Sequence, residues 1–377
     1  MDILCICGAR PNFMKIGAVV EAMRPHPELV PSIVHTGQHY DERLSQVMFE
    51  DLGLPRPEVE LEVGSASHAL QTARIMERFE PVIAERRPDL VLVVGDVNST
   101  VACGLVAVKL GVPLAHVEAG LRSFDRSMPE EINRVVTDSI SDLLFVSEAS
   151  GVANLRREGV PEENVFFVGN VMIDTLLRHR RRADRSTVLA RLGLGPRSYA
   201  AVTLHRPGNV DDPERLAGLL AVLLEVAGRL PVVFPAHPRT LRRIEEFGLR
   251  DALERTPGLH RIDPLGYLDF LKLMAEARVL LTDSGGIQEE ATVLRVPCLT
   301  LRENTERPAT VDSGWNHLVG THPDAVRAAF ERVLAAPQPS GEAPERWDGR
   351  AGERIATTLR ELGLAGVRRL QARRGGA

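Results

Sequence analysis

Short apolar runs alternate with stretches of helical periodicity along the whole chain, and this alternation limits the possible folds more than any other feature. An apolar run bounded by turn residues is typical of a buried strand. Strands that alternate with helices predict parallel sheets covered by helices on both faces. The predicted strands of a first set are Ile3–Cys7, Ser32–Thr36, Leu90–Gly95, Pro113–Val117, Leu143–Ser147 and Val165–Gly169. Those of a second set are Ala200–Leu204, Pro231–Pro235, Leu259–Ile262, Val279–Leu281, Pro297–Leu301 and His317–Val319. The predicted helices are 67–86, 99–110, 213–229, 266–277, 285–294, 323–335 and a terminal 351–372.

The two sets of strands predict an α/β protein with two Rossmann-like domains. A chain of 377 residues is long for one hydrophobic core. We place the boundary near residue 170 and predict domains over 1–170 and 171–350, followed by the terminal segment 351–377. Open parallel sheets bind their ligands beyond the carboxyl ends of the strands. We therefore expect the active site in a cleft between the two domains.

The composition excludes several classes of function. The formal net charge is −5 and the sequence pI is about 6.2, so nothing indicates a nucleic-acid partner. The 4 cysteines have no metal-ligand spacing, and no apolar run is long enough to cross a bilayer. The apolar run Ile3–Cys7 opens the chain without a basic leader. We expect a cytoplasmic protein with no metal and no membrane partner.

The stretch 116–134 carries the densest cluster of charged residues. The apolar run before it predicts a short strand that ends at Glu118, and Gly120 permits a sharp turn. Arginines and acids follow as far as Pro129-Glu130-Glu131, which is typical of a helix start. Carboxylates in such a loop can transfer protons, while arginines keep them ionised. The alternative interpretation is an ion-paired surface loop.

Two more clusters follow strands of the first domain. Arg10 and Lys15 flank a turn at Gly8 and a proline-led helix start, where backbone N–H groups and two cations would favour a phosphate. The alternative is that both are ordinary surface cations. The spacing matches neither a dinucleotide nor a Walker loop, so we expect no nicotinamide cofactor. Asp96 is either a functional acid near the central crevice or a cap of the next helix.

Polar residues also follow the strands of the second domain. His205 offers a titratable group beside a fixed cation, although a lone histidine is more often structural. Ser284-Gly285-Gly286 opens a helix whose N–H groups could face an anion, and the same residues could simply form a cap and a turn. Glu290 could accept hydrogen bonds from ribose hydroxyls, and Arg307 adds a cation on the same rim. These clusters suggest a nucleotide-sugar enzyme that holds the nucleotide on its second domain and performs chemistry on its first.

Together the motifs resemble those of the non-hydrolysing UDP-N-acetylglucosamine 2-epimerases, in order from about residue 3 to residue 320. The motifs are Gly8-Ala-Arg-Pro…Lys15, Gly95-Asp96, His116-Val-Glu118-Ala-Gly-Leu-Arg122, Pro129-Glu-Glu-Ile-Asn-Arg134, Leu204-His-Arg206, Thr282-Asp-Ser-Gly-Gly-Ile-Gln-Glu-Glu290 and Thr305-Glu-Arg-Pro308. The resemblance implies a glycosyltransferase-B type fold whose terminal helix packs back on the first domain, and a homodimer.

The resemblance also implies the reaction. UDP-N-acetylglucosamine would lose its C2 proton and its UDP, giving a 2-acetamidoglucal, and UDP would add back after protonation of the other face. The product, UDP-N-acetylmannosamine, would serve cell-surface polysaccharide synthesis, and no cofactor would be needed. The implied catalytic residues are Asp96, Glu118, Glu130, His205 and Lys15. The implied substrate ligands are Arg10 and His205 for the diphosphate, Ser284, Gly285 and Gly286 for phosphate oxygens, Glu290 for the ribose, Phe270 for the uracil and Arg307 for the nucleotide side, with Lys15, Asp96 and Glu118 at the sugar.

Two departures leave alternatives open. Many family members have a glutamate where this chain has Asn12, and Asn12 with the run Thr36–Asp41 also resembles the branch that epimerises UDP-2,3-diacetamido-2,3-dideoxyglucuronate. The run 38–42 differs from the one associated with a second, activating substrate molecule in some members, so we do not expect that activation. The competing functions are a UDP-sugar glycosyltransferase and a nucleotide-sugar sensor without chemistry.

Overall fold

The computed structural model describes residues 1–38, 52, 53, 55–336 and 339–374, with the side chains of Arg10 and Arg374 outside that description. The chain divides into two compact units, Met1–Arg178 with Glu345–Ala377, and His179–Pro344. The divisions lie at 178/179 and 344/345, whereas we placed them near 170 and at 350. The difference arises because residues beyond 170 still bond within the first unit. The Thr175 hydroxyl donates to the carbonyl of Met14 at 2.7 Å.

The strands form two sheets in which the paired strands are parallel. The first sheet has the order β3-β2-β1-β4-β5-β6-β7 and the second β10-β9-β8-β11-β12-β13. The strands are β1 (Asp2–Cys7), β2 (Val30–His35), β3 (Val59–Glu60), β4 (Leu90–Val94), β5 (Leu114–Ala119), β6 (Leu143–Val146), β7 (Val165–Phe167), β8 (Ala200–Thr203), β9 (Val232–Pro235), β10 (Leu259–Ile262), β11 (Val279–Thr282), β12 (Cys298–Thr300) and β13 (Asn316–Leu318).

Each predicted strand overlaps an observed one, and the α/β class is confirmed. Among the strands of the described residues, only the edge strand β3 was not predicted, since two residues are too few to form a recognisable apolar run. The central strands were the easiest to recognise, because a strand covered on both faces is apolar throughout. Every residue of β4 is buried, for example.

The helices between the strands are, over the described residues, α1 (Arg10–Met23), α2 (His68–Arg86), α3 (Asn98–Lys109), α4 (Pro129–Ile140), α5 (Ala149–Arg157), α6 (Val171–Ala183), α7 (Val188–Leu192), α8 (Pro207–Val210), α9 (Pro213–Ala227), α10 (Pro238–Glu246), α11 (Arg250–Arg255), α12 (Tyr267–Ala275), α13 (Gly285–Leu294), α14 (Pro308–Asp312), α15 (Pro323–Ala335) and α16 (Ala351–Arg374). None of these described helices is long and apolar enough to cross a membrane.

Each unit has its own hydrophobic core. In the first unit, Ile75 and Phe79 of α2 pack with Leu4 of β1 and Val91 of β4. The terminal helix α16 lies against α1, and Gly352 makes this approach possible. In the second unit, leucines and valines of α9 pack against β8, β9 and β11.

The strand orders create one topological switch point in each sheet. In the first sheet β1 lies beside β4, and in the second β8 lies beside β11. The chain leaves these neighbouring strands toward opposite sides of the sheet, which opens a crevice at their carboxyl ends. The residues directly after the strands are Gly8 and Gly95 in the first unit, and Leu204 and Asp283 in the second. The predicted polar clusters therefore begin at both switch points.

Candidate functional site

Glu118 lies in the strand β5, in backbone geometry that is unusual for a glutamate. Its φ is +73°, in the left-handed region, and the pairing of β5 with β6 shifts register between Val117 and Ala119. Glu118 is thus the additional residue of a bulge. We predicted that the strand ends at Glu118, and the bulge lets β5 continue to Ala119. A non-glycine residue in left-handed geometry costs about 1–3 kcal/mol and is frequent at functional sites.

Lys15 meets Glu118 in the first unit. Its ammonium group forms an ion pair with Glu118 Oε2, and the side chains are only 8% and 3% exposed. The end of β4 closes over this pair at Gly95. A Cβ atom at position 95 would lie 3.0 Å from Lys15 Nζ and 3.3 Å from Glu118 Oε2. The predicted proximity of Lys15 to the acids therefore holds for Glu118, and Lys15 is not a surface cation.

Asn12 fixes the loop between β1 and α1. Its Oδ1 accepts from the N–H of Ala9 at 2.8 Å, and its Nδ2 donates to the carbonyl of Val94 at 3.0 Å. The loop is thereby tied to the end of β4. Arg10 begins α1, but the Arg10 side chain lies outside the described residues, as do His39–Asp41 of the predicted substrate-branch motif.

Asp96 is held by Arg134. Arg134 Nη2 and Nε donate to Asp96 Oδ2 at 2.6 and 3.0 Å, and the Asp96 side chain is 26% exposed. The following helix begins at Asn98 after Val97, without a side-chain cap. The capping interpretation of Asp96 is therefore wrong. An arginine that donates twice to one carboxylate oxygen fixes the orientation of that carboxylate.

The adjacent acids at the start of α4 have different environments. Glu131 is buried and accepts hydrogen bonds from the N–H groups of Ser123 and Phe124, both at 2.9 Å. It also accepts from Arg134. Glu131 therefore folds the loop before α4. Glu130 is half-buried, and it remains the proton-transfer candidate of the two. The loop is ion-paired, as the alternative interpretation proposed, but its charged groups are largely buried rather than on the surface.

In the second unit, one buried carboxylate organises the turn after β8. Asp283 accepts from the N–H groups of His205 and Arg206 at 3.0 and 2.9 Å. It also lies 2.8 Å from His205 Nδ1. Burial alone would raise the pKa of Asp283, but His205 and these backbone N–H groups lower it below its ordinary value. The His205 ring is 42% exposed, so Asp283 fixes Nδ1 while the opposite ring nitrogen is presented outward.

Ser284, Gly285 and Gly286 form the beginning of α13. Ser284 is the N-cap residue without a side-chain cap, and all three residues are partly exposed. The first N–H groups of a helix have no partner within it, so this turn can bind an anion. A Cβ at position 285 would lie 2.6 Å from Oε1 of Glu306. A side chain at position 285 would therefore displace the buried carboxylate of Glu306.

Glu290 is a buried carboxyl on α13. The Tyr267 hydroxyl, on α12, donates to Glu290 Oε1 at 3.3 Å. Burial raises the pKa of Glu290 to about 8; the hydrogen bond from Tyr267 opposes this change and the charge of Glu289 adds to it. Phe270, the predicted uracil contact, lies one turn after Tyr267 on α12 and is half-buried. The two predicted nucleoside ligands are thus carried by two helices that this hydrogen bond joins.

Arg307 differs from its predicted position on an open rim. It is only 5% exposed, and its guanidinium lies 2.7 Å from Glu289 and 3.1 Å from Glu306. Arg302 pairs with the other oxygen of Glu306 at 2.7 Å. These residues form a buried charge network behind the first turn of α13. Arg307 therefore supports the anion-binding turn rather than extending it.

Sequence reasoning assigned no role to Asp283, Arg134, Asp138 or Tyr267. Glu131, Arg134 and Asp138 recur at helical spacing on one face of α4, and all three are buried. A charged stripe where an amphipathic helix would normally be apolar could have indicated that this face carries a polar network. Within the described ranges, no group of three His, Cys, Asp or Glu side chains could hold a metal ion.

Comparison with known proteins connects this geometry to a family. The profile described as UDP-N-acetylglucosamine 2-epimerase matches residues 21–360. The chain belongs to the UDP-N-acetylglucosamine 2-epimerase family. The family predicted from the motifs is confirmed, and the chain is an enzyme of this type.

Individual relatives and a solved structure agree with the assignment. The UDP-N-acetylglucosamine 2-epimerase of Methanocaldococcus jannaschii is 41% identical over 368 residues, covering 95% of this chain and 99% of that protein. The UDP-2,3-diacetamido-2,3-dideoxy-D-glucuronate 2-epimerase of Pseudomonas aeruginosa is 42% identical over 366 residues, covering 96% and 100%. A crystal structure of the M. jannaschii enzyme in complex with UDP-GlcNAc and UDP matches with a TM-score of 0.91 at 42% identity, covering 96% of this chain and 100% of that one. The two doubly wound units of this epimerase family member have the predicted glycosyltransferase-B type fold.

Proposed function

We propose that this protein interconverts UDP-N-acetylglucosamine and UDP-N-acetylmannosamine by epimerisation at C2 without hydrolysis. The observation that carries the proposal is the position of the predicted polar residues at the switch points of both sheets. Acids and a buried Lys15 lie at the crevice of the first unit. An anion-binding turn and an oriented His205 lie at the crevice of the second. The reaction needs both groups of residues, since it combines proton transfer at a sugar with departure of a nucleoside diphosphate.

The first unit supplies proton transfer at C2 in this proposal. Removing and returning a proton on opposite faces of one carbon requires two acid/base groups. Asp96, Glu118 and Glu130 are the candidates. Lys15 stabilises the charge of Glu118, and Arg134 does the same for Asp96. A proton bound to carbon leaves only if the charge that develops elsewhere is stabilised.

The second unit supplies leaving-group stabilisation. UDP departs from C1 as an anion, and the N–H groups of Ser284, Gly285 and Gly286 together with His205 would bind its diphosphate. Arg10 would add a cation from the first unit. Glu290 would accept the ribose hydroxyls and Phe270 would contact the uracil, while Arg307 would hold the turn in place. The intermediate is the 2-acetamidoglucal, to which UDP adds back.

A second candidate substrate is the diacetamido-glucuronate sugar named in the P. aeruginosa relative, which is 42% identical to this chain, compared with 41% for the M. jannaschii enzyme. Asn12 favours this alternative. It replaces the glutamate of many family members with a neutral amide that is fully engaged with Ala9 and Val94. One negative charge fewer beside Lys15 would ease binding of a sugar that carries its own carboxylate.

The test is incubation with each UDP-sugar in deuterated water without added metal or cofactor. Deuterium at C2 and formation of the 2-epimer are expected for the true substrate, and the ratio of kcat/KM values identifies the preferred sugar. Transfer of the sugar to an acceptor without exchange at C2 would favour a glycosyltransferase. Tight binding without exchange of either sugar would favour a sensor.

We further propose that the enzyme is a cytoplasmic homodimer that serves cell-surface polysaccharide synthesis. All 4 cysteines are free and buried, which fits a reducing compartment. Large exposed apolar side chains of the first unit, including Phe124 at 69% and Leu70 at 56%, offer surfaces for a second copy. Sedimentation analysis measures the assembly directly, and a monomer at micromolar concentration would contradict the dimer.

A further inference from the structure

One buried carboxylate on α4 contacts a side chain before Glu118 and the backbone after it. Asp138 Oδ1 lies 2.7 Å from Nδ1 of His116, and Asp138 Oδ2 accepts the N–H of Gly120 at 2.9 Å. His116 and Gly120 are the residues two positions before and two positions after Glu118. Arg122 completes the cluster, with Nη1 2.7 Å from the second Asp138 oxygen. The side chains of Asp138, His116 and Arg122 are each at most 1% exposed.

The same network reaches the loop that carries Asp96. The second ring nitrogen of His116, Nε2, lies 2.9 Å from the carbonyl oxygen of Gly95, the residue directly before Asp96. Both His116 nitrogens thus face acceptors, a carboxylate on one side and a carbonyl on the other. Asp138 and His116 therefore connect the ends of β4 and β5, where two of the proposed acids are located.

Contacts from surrounding residues are needed to hold the backbone of Glu118 in its left-handed conformation. A left-handed φ in a glutamate persists only where the surroundings determine it, because this backbone conformation is unfavourable for a residue with a side chain. The bulge lengthens β5 by one residue opposite β6, so ladder hydrogen bonds alone do not fix Glu118. Charge-assisted hydrogen bonds from buried partners are about twice as strong as neutral ones. Around the bulge, the Asp138 carboxylate contacts Nδ1 of His116, the N–H of Gly120 and Nη1 of Arg122.

We propose that Asp138 is a positioning residue for Glu118: by bridging His116, Gly120 and Arg122, it holds the bulge that directs the Glu118 carboxylate to Lys15 and to C2 of the sugar. The inference rests on the proposed function, because it assigns to Glu118 a proton-transfer role. Asp138 itself touches no substrate in this account. A displacement of about 1 Å in a reacting group can reduce turnover about 10²-fold.

The test compares Asp138→Ala with a matched truncation, Glu158→Ala. Glu158 pairs with the same Arg122, at 2.7 and 2.8 Å, but contacts neither flank of Glu118 in the described structure. We expect Asp138→Ala to lower kcat at least 10-fold while KM and UDP affinity change less than about 2-fold, because the nucleotide is bound by other residues. Glu158→Ala should retain kcat within about 2-fold. A merely structural role for Asp138 would weaken UDP binding and turnover together.

Equal kcat for Asp138→Ala and wild type would overturn the inference, and so would an equal loss in Glu158→Ala. If Asp138→Ala does not fold, Asp138→Asn takes its place, since it keeps the volume and one acceptor oxygen but loses the charge. Unchanged kcat in a folded Asp138→Asn would then overturn the inference. A crystal structure of the variant gives a readout independent of activity. Glu118 should leave Lys15, and an unmoved Glu118 would reject the positioning role even if the enzyme acted on neither sugar.

Discussion

Replacing Glu290 by glutamine should remove a decrease in the free energy of unfolding that wild type undergoes as pH rises. Burial raises the pKa of Glu290 from 4.5 to about 8. Between these values the folded protein holds a proton that the unfolded chain has released, so the free energy of unfolding falls as pH rises. Each pH unit in this window removes about 1.4 kcal/mol. The full window, from 4.5 to about 8, corresponds to at most about 5 kcal/mol.

The Glu290→Gln variant lacks this titration. Glutamine keeps the volume of the side chain and an oxygen that can accept from Tyr267. Relative to wild type, its free energy of unfolding should therefore rise by about 3 kcal/mol between about pH 6 and pH 8, and should stay constant above that. Urea titrations of both proteins at several pH values measure the difference directly.

The neighbouring Glu289→Gln variant is the matched control. Glu289 pairs with the buried guanidinium of Arg307 at 2.7 Å, and removing one partner of a buried ion pair destabilises a protein. Glu289→Gln should therefore lose stability across the same pH range, where Glu290→Gln gains it. Parallel pH curves for wild type and Glu290→Gln would show that Glu290 does not titrate in this window, and the reasoning from burial would be refuted.

Two further predictions concern UDP binding by the second unit and the packing of α16 on α1 in the first. Asp283→Ala and His205→Ala should each weaken UDP binding about 10-fold or more, because Asp283 fixes the His205 imidazole. Calorimetry measures UDP binding to both variants and to the double variant. Additive losses in the double variant would contradict the coupling of the two residues. Gly352→Ala should lower the free energy of unfolding of the first unit by about 1–3 kcal/mol, because the added Cβ would lie 2.8 Å from the carbonyl oxygen of Ala18. The control Gly195→Ala should not, since the nearest atom to its Cβ would lie at 3.7 Å. Equal unfolding curves for the two variants would contradict the close packing of α16 on α1.

The sequence was sufficient for the sheets and for the ends of their strands. Parallel strands covered on both faces are continuous apolar runs, and the polar residues that follow them mark the carboxyl ends. The approach of Lys15 to Glu118 could be anticipated in this way, although the two residues are 103 positions apart. It follows from the adjacency of β1, β4 and β5 in the middle of the first sheet, where their carboxyl ends lie side by side.

Some features of the site depend on tertiary contacts that the local sequence pattern does not predict. Asp96 looked equally like a helix cap, and only Arg134, 38 residues later, shows that it is ion-paired instead. The bulge at Glu118 has no local sequence signal, because it depends on register against β6. Arg307 was predicted on the rim of the site because it follows a strand of the second domain. Its guanidinium is buried against the preceding residue, Glu306, and against Glu289 of α13, which the local pattern does not place beside it.

In the proposed mechanism, acids of the first unit transfer the C2 proton while the second unit holds UDP. The Glu118→Gln variant tests this through two quantities, the rate of deuterium exchange at C2 of UDP-N-acetylglucosamine and the UDP dissociation constant. If the enzyme prefers the diacetamido-glucuronate sugar, exchange is measured on that sugar instead. Exchange should fall about 10²-fold or more, while UDP affinity should stay within about 2-fold of wild type. Near-normal exchange in Glu118→Gln would contradict the catalytic assignment.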